Sequence, residues 1–198
     1  IYPNCGCDLG QNCPFYGQHY HNGIYDYEGS GANAIPIKDW GIYLNLSSHN
    51  TGLLFLWACG HADPAFEGGY SGSHSWGMIA SWMGTTDLVY DGYTYTTDTS
   101  NRCFISFVNV SINFIESTGY ADWQYAHFAY LFYYYALSGG VFTIKNALDL
   151  AASDTHGSAS YGTCQLHTGY WGWDGVEGHD YIWSYMRVWG DTDHVIPS

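Results

Sequence analysis

Three residues invite chemistry first: Cys59, at the end of an apolar run, and two upstream histidines, His19 and His21. A thiol becomes a useful nucleophile when a neighbouring imidazole takes its proton or pairs with the thiolate. The run GLLFLWA at 52–58 reads as a buried strand, which puts Cys59 in the loop at its carboxyl end, where open α/β sheets bind ligands. The same region also suits a metal. His19-x-His21 on a strand places both imidazoles on one face, because side chains alternate with a period of two. His61 and Asp63 follow the strand end, so these four side chains could hold zinc or copper. Asp87, Asp91 and Asp98 lie in a stretch rich in Gly, Tyr and Thr and could offer oxygens to calcium, without EF-hand spacing. Each has a plainer reading: a buried structural thiol or disulfide partner for Cys59, a solvated acidic loop for the aspartates, and coincidence among ten histidines for the metal cluster.

The elements that must position these residues follow from local pattern. Residues 13–20 suggest a short strand ending before the turn signal Asn22-Gly23, and 25–34 a Gly-rich loop. Residues 35–46 supply a short strand or helix, and 52–58 a central parallel strand covered on both faces. A short helix is expected around 76–83, a loop over 87–102, and a second buried strand, CFISFVNV, over 103–110. The main helix, 121–137, carries aromatic residues almost all the way round. One stripe is therefore not expected to be its only buried face: either it is sandwiched inside the domain or its outer face packs on another subunit. Ile144, Ala147, Leu148 and Ala151 fall at i, i+3, i+4 and i+7, which marks an amphipathic helix over 143–152, and a last strand spans 181–189. Strands alternating with helices predict a single α/β domain over 1–198 with a mostly parallel sheet sandwiched by helices.

Composition narrows the function classes. The 198 residues are 19% aromatic and only 11% charged, with a net charge of −14. Lys38, Arg102, Lys145 and Arg187 are the only Lys and Arg residues, so the chain has little with which to neutralise phosphates, and nucleic acid and anionic membranes are poor partners. No apolar run approaches the length of a membrane span, and a first residue other than Met suggests a processed N-terminus. Six cysteines, Cys5, Cys7, Cys13, Cys59, Cys103 and Cys164, favour at least one disulfide, with Cys5, Cys7 and Cys13 forming a Cys-rich segment at 1–13. Asn45 and Asn109 head glycosylation sequons. Together these features predict an extracellular or cell-surface protein. The Tyr and Trp surplus, including Trp171-Gly172-Trp173, suits subunit packing or carbohydrate stacking.

The string LLFLWACG around Cys59 resembles the nucleophile strand of the caspase–haemoglobinase fold, shared by caspases, legumains and gingipains. His21-Asn22-Gly23 precedes Cys59 by 38 residues, a spacing similar to that family's. CFISFVNV, FYYYALSGGVFTIKNALDLAA and MRVWGDTD resemble its following strand, helix–Gly–helix unit and closing strand. The resemblance implies a caspase-like core over 14–191, stapled by disulfides, in which Cys59 is the nucleophile and His21 its proton-transfer partner, with His19 as the fallback. It also implies that backbone N–H groups around Gly23 and Cys59–Gly60 stabilise the oxyanion. Relative to the family the chain is truncated at its N-terminal side, which implies a second chain or subunit that completes the sheet. The expected activity is that of an extracellular cysteine endopeptidase acting on peptides or proteins, with no required cofactor. The alternatives are a catalytically inactive subunit of an extracellular homo-oligomeric assembly, such as a filament or surface layer, and a secreted module binding metal (calcium or zinc) or carbohydrate.

Overall fold

The computed structural model describes residues 23–25, 36–38, 42, 52–58, 62, 79, 82, 101–109, 111, 125–173 and 181–197. The chain divides into two compact units, one of Ile1–Thr51 with Asp63–Val89, the other of Gly52–Ala62 with Tyr90–Ser198. In the first, β1 (Gly23–Tyr25) pairs antiparallel with β2 (Pro36–Lys38), with Ile24 opposite Ile37. Ile42 and Ile79 of the same unit are buried, and Ile79 and Trp82 are helical, as the pattern over 76–83 predicts.

The second unit is built on a four-stranded sheet of β3 (Leu53–Phe55), β4 (Cys103–Asn109), β5 (Tyr170–Trp173) and β6 (Tyr181–Gly190), in the order β3-β4-β6-β5. Only β3 and β4 run parallel. The longest ladder is antiparallel, from Cys103 opposite Gly190 to Asn109 opposite Ser184, and β5 returns antiparallel on β6. The expected mostly parallel sheet of the caspase–haemoglobinase type is therefore corrected to a mixed, mostly antiparallel one. The physical reason is that a strand buried on both faces reads as a continuous apolar run whichever way its neighbour points. In β4, Cys103, Ile105 and Phe107 face one side and Phe104 and Ser106 the other, and all five are at most 2% exposed. A second correction concerns β3, which is the edge of this sheet among the described residues and only half-buried, not central.

Two helices cover one face. Helix α1 (Tyr125–Ala136) buries Tyr125, Phe128, Ala129, Phe132 and Ala136, spaced at three and four residues, so one stripe faces the core within the chain. Helix α2 (Ile144–His156) buries Ile144, Ala147, Leu148, Ala151, Ala152 and Thr155. Its alanines let α1 approach closely, and the two helices close over Ile105, Phe107, Met186 and Val188 to form the core.

Helix α2 starts and stops where its sequence says it should. The Thr143 side chain accepts a hydrogen bond from the Asn146 N–H at 3.1 Å. The next two orphan donors are used as well, Ile144 N–H by the His194 carbonyl and Lys145 N–H by that of Thr192, both at 3.0 Å. Gly157, at φ 64°, ends the helix in the left-handed region, its N–H donating to the Ser153 carbonyl. Thr143→Ala is expected to cost about 1 kcal/mol. Urea denaturation should show that loss, and Thr143→Ser should recover most of it.

After α2, a 3₁₀ turn (Tyr161–Thr163) and the one-turn helix α3 (Gln165–Thr168) lead into β5. The Tyr161 hydroxyl donates to the Met186 carbonyl at 2.6 Å and its N–H to the Asp149 carboxylate at 2.8 Å, which ties this connection to both sheet and helix. No helix among the described residues is long and apolar enough to cross a membrane.

Candidate interaction surface

Most residues singled out for chemistry lie outside the described ones: Cys59, His19, His21, Gly60, His61, Asp63, Asp87, Asp91, Asp98, Asn45, Cys5, Cys7 and Cys13. Gly23 opens β1 opposite Lys38, and Asn109 closes β4 opposite Ser184. The structure does show how the two flanks of Cys59 are held. Leu56 N–H donates to the Ile105 carbonyl at 2.8 Å, and the Ser106 hydroxyl donates to the Ala58 carbonyl at 3.3 Å. Beyond Cys59, Ala62 N–H donates to the Phe107 carbonyl at 3.0 Å, and the Trp189 indole donates to the Ala62 carbonyl at 3.1 Å. Both flanks are thus pinned to the sheet.

The two described cysteines correct the disulfide expectation at their positions. Cys103 and Cys164 are free thiols, and both are buried. Burial, with the Asp191 carboxylate as a second cause, drives the Cys103 thiol far above its ordinary range. Burial pushes Cys164 up to about 11, against backbone hydrogen bonds that pull the other way. Neither thiol is a nucleophile or a staple; each packs as a small apolar side chain. Among the described residues no three His, Cys, Asp or Glu side chains gather into a metal-binding group. Asp154 accepts from the Tyr135 hydroxyl, and Asp191 accepts from the N–H groups of Asn101 and Asp193, so both serve the local structure.

What the described residues do bring together is a band of rings. Tyr130, Tyr133 and Tyr134 are 63%, 39% and 59% exposed on the outer face of α1, and Leu137 and Val141 continue the apolar surface beyond its end. Tyr130 stacks on Tyr134, with centroids 6.3 Å apart and planes 23° apart, and His127 stacks on Tyr130 at 6.2 Å. Tyr133 stacks on Phe55 of β3 at 5.9 Å, and Phe55 in turn meets Trp57 at 5.6 Å. The rings therefore run from the sheet edge onto the helix. No Asp, Glu, Lys or Arg lies between 125 and 136, so the helix carries no fixed charge.

Comparisons of the chain with family models, characterised proteins and solved structures find no match. The mostly parallel sheet that the resemblance implies is not the sheet of the described residues, and Cys59, His19 and His21 lie outside them.

Proposed function

We propose that this chain is a non-catalytic building unit of an extracellular assembly, joined to further copies through the outer face of α1. The observation that supports this is the exposed tyrosine band. Large rings bury much area on association at low conformational cost, which is why Tyr is enriched where surfaces meet. A band of stacked rings without fixed charge is also self-complementary, and it spares a protein of net charge −14 like-charge repulsion at the contact. The extracellular setting rests on composition: few Lys and Arg, many aromatic and small polar residues.

Sedimentation velocity across the micromolar range tests the reading. The wild-type chain should form larger species with rising concentration, and a Tyr130→Ser/Tyr134→Ser variant, altered only at exposed positions, should stay monomeric. A wild type that sediments as a monomer throughout would remove the proposal. Peptide hydrolysis abolished by Cys59→Ala would replace it with the peptidase reading.

A further inference from the structure

Arg187 stands on β6 opposite Ser106 and is half-buried. Its Nη1 donates to two backbone carbonyls, those of His167 and Met186, both at 2.8 Å. Its guanidinium carbon sits 5.1 Å from the centroid of the Tyr185 ring. Two contacts to carbonyls and one to a ring fix the plane of the group and occupy both N–H bonds of Nη1.

What remains is the opposite edge. A guanidinium carries five N–H donors in a rigid fork, and Nε–H with one N–H of Nη2 point the same way, at the spacing of the two oxygens of a carboxylate. The side chain is half-buried, and both of its hydrogen bonds come from Nη1. No carboxylate among the described residues pairs with it. That is unusual in a chain where Asp and Glu outnumber Lys and Arg by 18 to 4, because a partly buried guanidinium is ordinarily paired.

We propose that the Nε–Nη2 edge of Arg187 is a recognition site for a carboxylate group brought by a ligand. The site goes beyond the assembly reading and does not depend on it. A singly charged, planar partner fits best. Among the described residues, His167, whose carbonyl Arg187 holds, is a candidate for a second positive charge, and its ring packs edge-on against Tyr161 at 5.3 Å. Burial, and then the Arg187 charge itself, hold that imidazole below its ordinary pKa, so at neutral pH it adds no charge. One guanidinium in a strongly acidic protein therefore suits a carboxylate better than a phosphate dianion.

The test is acetate titration of the full chain with nitrogen-15-labelled arginine, against chloride at constant ionic strength. The Arg187 Nε–H resonance should shift saturably, with a dissociation constant on the order of millimolar for a single bidentate contact. The His167 titration midpoint should rise as bound acetate offsets the Arg187 charge. Arg187→Lys keeps the charge but loses the fork and should bind at least about tenfold more weakly. A shift that grows linearly without saturating, equal binding by the lysine variant, or saturation by inorganic phosphate but not acetate would each overturn the proposal. The wild-type titration decides the matter even if the variant fails to fold.

Discussion

Phe107→Ala is expected to destabilise the second unit by about 3–5 kcal/mol, the range for removing a fully buried aromatic ring. Phe107 is 0% exposed and lies at the centre of the core, its ring 4.8 Å from that of Trp57 in an edge-on contact. Its surroundings cannot close over the gap easily. β4 is laddered to β6 over its whole length and to β3 over Cys103–Ile105, and the Phe107 carbonyl itself holds the Ala62 N–H. A loss of that size is a large fraction of a typical domain's stability. Urea denaturation of the wild type and the variant should show it as a lower midpoint; a loss below about 1 kcal/mol would mean that the core closes over the gap.

The second large effect is a loss of stability at alkaline pH. In the unfolded chain both thiols ionise near the ordinary value of 9.0. In the folded chain Cys164 holds its proton to about 11 and Cys103 beyond that. The sign follows from which state binds protons more tightly. Below pH 9 both states are protonated and the contribution is fully present; above it only the unfolded state gains by ionising, so stability falls as pH rises. For Cys164 the loss between pH 9 and 11 is about 2–3 kcal/mol, and Cys103 adds to it. Denaturation midpoints measured at neutral pH, pH 9 and pH 10.5 should fall steeply for the wild type. A Cys103→Ala/Cys164→Ala variant should lose less over the same interval, since tyrosine ionisation is common to both proteins. Equal slopes would show that the thiols do not titrate as buried groups.

Local structure was legible in the sequence where a local cause fixes it. CFISFVNV reads as a strand over 103–110 and is one over Cys103–Asn109; the last strand, expected over 181–189, is Tyr181–Gly190. The amphipathic spacing of Ile144, Ala147, Leu148 and Ala151 located α2, although its end was placed at 152 and not at His156, because Ser153, Asp154 and Thr155 look like a terminus until Gly157 supplies the actual one. Strand direction was not legible, since direction depends on partners far along the chain and β4 has the same apolar pattern beside either. At Cys103 and Cys164 the even cysteine count misled in a similar way. A buried thiol and a half-cystine occupy the same kind of position, and only geometry separates them. Of the candidate site, the tyrosine surplus was visible but its sidedness was not. The string FYYYA does not show that Phe132 turns inward while Tyr133 and Tyr134 turn out. Arg187 appeared only as one of four cations. Its signal was a lone charge inside the otherwise apolar strand YIWSYMRVWG, a placement that asks what the charge is for.

The order of strands in the sheet also bears on how the chain gets folded. β4 lies between β3, which precedes it, and β6, which follows roughly seventy residues later, after both long helices and the β5 hairpin arm. During synthesis β4 therefore leaves the ribosome with one edge bare, and its apolar, uncharged stretch CFISFVN is the kind of segment that pairs with copies of itself. Helices α1 and α2 are sequence neighbours and form early, covering one face of the strand but neither of its edges. The β4–β6 ladder spans the longest stretch of chain of any pairing in this sheet, so it is expected to close last, leaving the edge of β4 open to other chains until it does. Expression at lower temperature and slower synthesis should accordingly raise the yield of folded protein.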